Sequence, residues 1–370
     1  RVRPVNSFFF LLGESKMQRV AKQLYPIIAN STRTYSPITL CREWSTLGRL
    51  VLIVFCACFA STINGFFVSA FFVEHSLKRI GNVFHACVGI ADLFITAGVL
   101  PIAATVLLSG VWDTIPVCQW LQFLTEASTY CYSMFFLLVA VECYVRLCHP
   151  PSTYEFFINM RVGLVSTLVF VLGITVAAVG TFYGLDYDYC ERSHHGHYTF
   201  RLSTTIIFHG IPFILTSYTL IASSIRINQH SRLQASYKRS LQYSRDLSMI
   251  KINILAYFMY ALAWTPFLII LHRYPTISDN HFYQTAWAGI SRSLFTSIMY
   301  GFLNTSFGRA YANLFYYCCC KSSLHGTYHT RHRRTDYRPT TDVRVHIMHQ
   351  AVSGNSPQRG ASTSRDTQEL

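Results

Sequence analysis

Seven stretches of this chain carry almost no charge, and charged and polar residues gather between them. They cover 51–73, 80–108, 114–141, 162–185, 202–225, 252–272 and 280–302. Each is long enough for the ~20 residues that carry a helix across a bilayer. Inside hydrocarbon the backbone must satisfy its own hydrogen bonds, which a helix does within one segment. The expected fold class is an all-α membrane protein, a seven-transmembrane helix bundle. Pro101, Pro212 and Pro266 fall inside spans 2, 5 and 6 and should kink them. After Asn304, apolar residues recur at Phe307, Ala310, Tyr311, Leu314 and Phe315. This i, i+3, i+4, i+7, i+8 spacing predicts a short amphipathic eighth helix lying in the membrane interface. The expected organisation is an extracellular N-terminal segment (1–48), the bundle (49–303), the amphipathic helix with a cysteine cluster (304–320) and a disordered tail (321–370).

Three charges break the apolar pattern deep inside it: Asp92, Glu126 and Arg292. Arg292 is the lone charge between Asp279 and Arg309, more than ten residues from either. That leaves roughly 15 Å of helix on each side, too far for the guanidinium to reach water. A charge at mid-membrane costs about 2.5–3.5 kcal/mol on insertion scales, so this side chain should face the protein and find a partner.

Charge in the short loops sets orientation. Connections 1–2, 3–4 and 5–6 hold ten basic residues: Lys78, Arg79, Arg146, Arg161, Arg226, Arg232, Lys238, Arg239, Arg245 and Lys251. Connections 2–3, 4–5 and 6–7 hold three, Arg192, Arg201 and Arg273. The first set belongs in the cytoplasm, which puts the N-terminus outside and the tail inside, in the plasma membrane. The basic N-terminal segment argues mildly the other way, and a glycosylation sequon at Asn30 argues for it.

Composition narrows the classes further. Hydrophobic residues make up 51% and charged residues 13%, with 28 Phe and 23 Tyr, which excludes an ordinary soluble domain. The net charge of +14 reads as basic loops and a tail against anionic lipid, not as a nucleic-acid surface. Residues 7–13 form too short an apolar run for a signal peptide. Cys118 opens span 3 and Cys190 lies in the loop between spans 4 and 5, both on the oxidising side, where a disulfide between them is expected. Cys318, Cys319 and Cys320 follow the amphipathic helix on the reducing side and read as palmitoylation sites, or more plainly as small apolar residues at a membrane surface. The tail's Ser and Thr residues are weak phosphate acceptor candidates.

Several ordered motifs over roughly 45–320 carry a family resemblance. Asn64-Gly65-Phe66-Phe67-Val68 resembles Asn-x-x-x-Val in span 1, and Gly89-Ile90-Ala91-Asp92-Leu93 resembles Leu-Ala-x-Ala-Asp-Leu in span 2. Trp112 precedes Cys118, and Glu142-Cys143-Tyr144 through Cys148-His149-Pro150 is similar to an Asp-Arg-Tyr…Cys-His-Pro ending of span 3. Ala263-Trp264-Thr265-Pro266 resembles Cys-Trp-x-Pro in span 6, and Thr296-Ser297-Ile298-Met299-Tyr300 stands where Asn-Pro-x-x-Tyr would, with Phe307 following. The chain thus resembles a divergent rhodopsin-like (class A) G-protein-coupled receptor. The resemblance implies an extracellular ligand, peptide or small molecule, a heterotrimeric G protein as partner, and arrestin as a further one. His209-Gly210-Ile211-Pro212 resembles a stretch of melatonin-type receptors whose spacing differs by one, and no subgroup follows from it.

The departures fall on the activation switches, here Glu142, Cys143, Tyr144, Arg146, Asp246, Trp264 and Tyr300. Cys143 replaces the family's Arg, which pairs with its acidic neighbour and an acid at the foot of span 6. Both acids remain, as Glu142 and Asp246. Arg146, one turn further on, either substitutes by pairing with them or is an ordinary basic loop residue, the reading preferred from sequence. Span 7 lacks its Asn and Pro, span 4 has no Trp, and Leu220 stands for the span-5 Tyr, with Tyr218 nearby.

By resemblance the ligand pocket opens outward between spans 3, 5, 6 and 7, lined by Thr125, Glu126, Thr129, His209, Trp264, Phe267 and Leu268. Span 7 has no Lys for a retinal Schiff base, and Thr125 stands where amine receptors hold an acid. Glu126 is either a buried counter-ion or an acid bonded to its neighbours. His194, His195 and His197 in the outer loop are zinc-type or pH-sensitive residues without regular spacing, so a plain polar loop is preferred. No cofactor, metal or enzyme activity is expected. Two alternatives to a signalling receptor stand: a non-coupling decoy, scavenger or dimer partner of the same fold, motivated by Cys143, and a transporter or channel, disfavoured by the lack of internal repeats.

Counting back from Tyr300 by turns, Thr296, Ser293, Arg292 and Gly289 share one helix face. In the family that face meets the span-2 Asp in a polar pocket that often holds sodium. Here the pocket would contain Asp92, Tyr132, Arg292, Ser293 and Thr296, with the Arg292 guanidinium either in the ion's place, paired to Asp92, or bonded to water and facing another cavity.

Overall fold

The computed structural model describes residues 45–74, 77, 82–109, 115–159, 162–189, 196–233, 238–273 and 279–320. Asn30, Trp112, Cys190, Arg192, His194, His195 and the segment 321–370 lie outside them. Span 1 is Thr46–Val73, started by Ser45, whose hydroxyl accepts from the Gly48 N–H at 3.2 Å. Span 2 runs through Val83–Leu93, a π-helical turn Phe94–Val99 and Leu100–Ser109. Span 3 is Ile115–Cys148, followed by a loop helix, Pro151–Asn159, and span 4 is Val162–Phe182. Span 5 comprises Tyr198–Thr205, a π turn Ile206–Gly210 and Ile211–Leu233. Span 6 is Leu241–Arg273, span 7 is Asp279–Leu303 and the terminal helix is Thr305–Cys320.

The two π turns have a local cause. Each ends just before a proline, Pro101 or Pro212, whose ring clashes with the carbonyl four residues back and which offers no N–H. One wide turn absorbs the misfit. Pro266, in contrast, lies within an α-helical span 6.

Among the described residues, six helices are long and apolar enough to cross a membrane by length and composition. Span 7, at 25 residues, is long enough but more polar, since it carries Arg292, Ser293, Thr296 and Ser297. All four of those side chains are buried inside the bundle. Exposed Phe55, Phe72, Leu168, Ile214, Phe258 and Leu262 on the other spans form the apolar surface that lipid would cover.

Span 3 packs against spans 2, 4 and 5, while span 6 packs against span 7. At the basic end, Phe307 of the terminal helix stacks on Phe67 of span 1 at 5.3 Å and meets Tyr300 edge-on. The chain divides into two compact units after Ala312. Of the second, Asn313–Cys320 completes the terminal helix, with Cys318 and Cys319 exposed as free thiols. Spans 6 and 7 meet closely at Gly289, where an added Cβ would lie 2.6 Å from the Trp264 ring. Such close approach is what small residues provide between membrane helices. Gly289→Ala should therefore push Trp264 aside and destabilise the fold by about 1–3 kcal/mol, seen as a lower melting temperature of the detergent-solubilised chain.

Candidate functional site

Arg292 is 1% exposed and sits between spans 2, 3, 6 and 7. Its Nη1 donates to Asp92 Oδ1 at 2.8 Å, and its Nη2 donates to Ser128 Oγ at 2.8 Å and Thr129 Oγ1 at 3.2 Å. Both hydroxyls pass their own protons on, Ser128 to the Ala91 carbonyl at 2.6 Å and Thr129 to the Thr125 carbonyl at 2.8 Å. The guanidinium carbon lies 4.6 Å from the Tyr132 ring centre and 5.8 Å from those of Tyr260 and Trp264. Aromatic faces are electron-rich, so this cage adds attraction to the ion pair.

This arrangement does not fit sodium. A metal cation needs converging oxygen lone pairs, and here a positive group donates into the carboxylate and two hydroxyls. The site instead holds its cation covalently. Tyr132 joins through its hydroxyl, 2.9 Å from Thr296 Oγ1. Ser293 does not reach the guanidinium; its hydroxyl donates to the Ile290 carbonyl at 2.8 Å, and its own carbonyl accepts from Asn64 Nδ2 at 2.9 Å. Ser128 escaped the sequence reading, although it lies one turn before Tyr132 on the same face. Thr129, expected in the ligand pocket, belongs to this site.

A hydrogen-bonded column continues toward the basic end. Ser297 donates to Asn64 and Tyr300 donates to Asn253 on span 6. Below them is a cavity of about 370 Å³ with His85, Glu142, Cys143, Arg146, Asp246 and Asn253 among its walls. Arg146 does not extend outward as a loop residue. Its side chain is 14% exposed, with Nη1 2.6 Å from Asp246 Oδ1 and Nε 3.3 Å from Glu142 Oε1. Tyr154 of the loop helix also donates to Glu142, at 2.9 Å. The plainer reading of Arg146 is thereby corrected: a partner on span 6, a hundred residues on, draws it inward. Cys143 is buried with Ile227 and Ile250, so the position of the missing Arg joins an apolar contact between spans 3, 5 and 6. Tyr144 lies apart from these groups, against His149 and Tyr218.

At the opposite end, most of the expected pocket residues are buried, with Leu268 half-buried against the core. Thr125 bonds the Leu121 carbonyl of its own helix at 2.8 Å, and His209 Nδ1 lies 3.1 Å from the Tyr260 hydroxyl. Trp264 packs on Phe267 at 5.2 Å. Tyr187 and Tyr189, on the loop after span 4, are both buried, and the Tyr189 hydroxyl donates to Glu126. Glu126 is thus bonded to a neighbour. Asp186 beside them has its carboxyl pushed above the usual range by burial, opposed by the Tyr187 N–H and the Arg201 charge. Tyr189 thus reaches Glu126 and Phe267 of the expected pocket; helical periodicity carries no signal for how deeply a loop residue inserts. Cys118 is buried and disulfide-bonded, with Cys190 outside the described residues. His197 is exposed.

Comparison with known proteins matches residues 63–304 to the 7 transmembrane receptor (rhodopsin family). The chain is 22% identical to the melatonin receptor type 1A-A of Danio rerio over 260 residues, covering 66% of this chain and 73% of that receptor. It is 24% identical to the octopressin receptor of Octopus vulgaris over 157 residues, 41% of this chain and 37% of that one. The crystal structure of squid rhodopsin superposes with a TM-score of 0.62 at 14% identity, covering 78% of this chain and 94% of that one. That likeness is one of fold.

The central pair makes a prediction. Asp92→Ala leaves a buried guanidinium without its counter-charge, which costs about 3–5 kcal/mol and should sharply reduce folded protein and melting temperature. Adding Arg292→Leu removes the orphaned charge and should recover part of the loss. Equal losses in the single and double variants would contradict the pairing.

Proposed function

The chain belongs to the rhodopsin family of seven-transmembrane receptors, and on that premise we propose that it binds an extracellular ligand at the plasma membrane and signals through a heterotrimeric G protein. Its relatives carry different ligands in their names, melatonin and octopressin, so ligand identity is not carried over from them. In this reading the N-terminus lies outside with Asn30 glycosylated, and Cys118 pairs with Cys190. Cys318, Cys319 and Cys320 take palmitate against the inner leaflet, and arrestin is a second partner on the cytoplasmic face.

One observation carries the coupling half of the proposal: Arg146 bridges Glu142 on its own span and Asp246 on span 6, at the wall of the cytoplasmic cavity. A partner that enters this cavity must part spans 3 and 6. The ion pair is mostly shielded from water, so its loss lowers the work of opening. Arg146 then serves as the latch cation that Cys143 cannot be. A second reading, a non-coupling receptor of the same fold, is favoured by Cys143 itself, which offers a thiol where a cation would face the partner.

Basal nucleotide exchange in membranes separates the two. Arg146→Ala and Asp246→Asn should each raise basal exchange several-fold over the parent chain at equal surface expression. No exchange above background in the parent and in both variants would favour the non-coupling reading. Exchange that is present in the parent but unmoved by both substitutions would remove the latch.

A further inference from the structure

The loop segment Asp186–Tyr189 is bound into the bundle as a ligand would be. The Gln122 side chain grips its backbone at both ends of the amide: Nε2 donates to the Tyr187 carbonyl at 2.8 Å, and Oε1 accepts from the Tyr189 N–H at 3.3 Å. The Tyr189 ring stands 5.6 Å from Phe267 and 5.9 Å from Phe282, both near edge-on, and its hydroxyl donates to Glu126. Behind it the loop is braced by Gly196 at φ 61°, where an added Cβ would lie 2.4 Å from the Asp186 carbonyl oxygen. The His197 N–H donates to the Leu185 carbonyl at 2.8 Å.

An apolar aromatic pocket with a few buried polar groups at its base, here Glu126 with Tyr130 and Asp186 beside it, is the make-up of a small-molecule site. We propose that Tyr189 is the resident occupant of a ligand subsite that selects an aromatic ring bearing a hydrogen-bond donor, with Glu126 as acceptor and Phe267 and Phe282 as walls. The inference rests on the receptor reading and names the chemistry of its ligand. An incoming ligand must displace a tethered ring whose effective concentration is on the order of millimolar or above, so the parent chain holds free phenols weakly. The subsite is linked to the centre of the bundle by packing. Phe267 touches Trp264 at 5.2 Å, and the Trp264 ring lies 5.8 Å from the Arg292 guanidinium. A change of occupant therefore bears on the central ion pair through two rings.

The test uses the full chain in detergent, with 4-ethylphenol and ethylbenzene as probes and melting temperature against probe concentration as the readout. Tyr189→Ala empties the subsite. It should be stabilised by 4-ethylphenol at roughly ten-fold lower concentration than by ethylbenzene, the difference a hydrogen bond to a buried carboxyl provides. Tyr189→Ala with Glu126→Leu should lose that preference, and the parent chain should shift little. Equal response of Tyr189→Ala to both probes, or none to either, would overturn the proposal. If Tyr189→Ala does not fold, Tyr189→Leu keeps much of the apolar packing and frees the acceptor, and the same preference is required of it. A receptor that does not couple would show flat nucleotide exchange in every variant while these shifts persisted, so the two proposals fail separately.

Discussion

A guanidinium held in the middle of a membrane bundle must have its charge and its donors met by protein, because no water is there to meet them. Around Arg292 the charge is met by Asp92 on span 2 and aromatic faces on spans 3 and 6, and the Nη1 and Nη2 donors are taken by Asp92, Ser128 and Thr129, while Nε has no hydrogen-bond partner among the described residues. Four helices are thereby brought to one point. Such an ion pair fixes geometry more surely than it adds net stability, since desolvating two charges costs much of what their attraction returns. Its structural effect is to specify which faces of spans 2, 3, 6 and 7 meet.

Both ends of the bundle depend on that centre. Toward the basic end, Tyr132 and Thr296 connect the cage to the Asn64, Ser297 and Tyr300 column, which reaches the cavity where Arg146 is clasped. Toward the opposite end, Trp264 and Phe267 connect it to the ring of Tyr189. Two cations stand out among the described residues, Arg292 at the centre and Arg146 at the foot of span 3. The first donates to Asp92 of span 2, and the second pairs with Glu142 of its own helix and Asp246 of span 6.

Much of this was legible in the sequence for a simple reason: charges inside apolar segments are few. With Asp92, Glu126 and Arg292 as the only deep charges, helical counting from Tyr300 sufficed to set Arg292 facing Asp92. The spans themselves follow from charge-poor length, and the terminal helix follows from its spacing. What periodicity does not encode was missed. Whether Arg146 turns out to water or inward depends on Asp246, far away in sequence, so spacing left both readings open. The depth of Tyr189 depends on how a loop folds back over the bundle, and neither its neighbours nor its composition record that. The π turns needed the backbone, although the prolines that cause them were visible.

The claim that the receptor carries its own internal cation is tested most directly by sodium itself. The melting temperature of the purified chain should be the same in sodium chloride and in N-methylglucamine chloride at equal ionic strength, because the Arg292 guanidinium already neutralises Asp92. A saturable, sodium-specific rise in melting temperature that is abolished by Asp92→Asn would contradict the account.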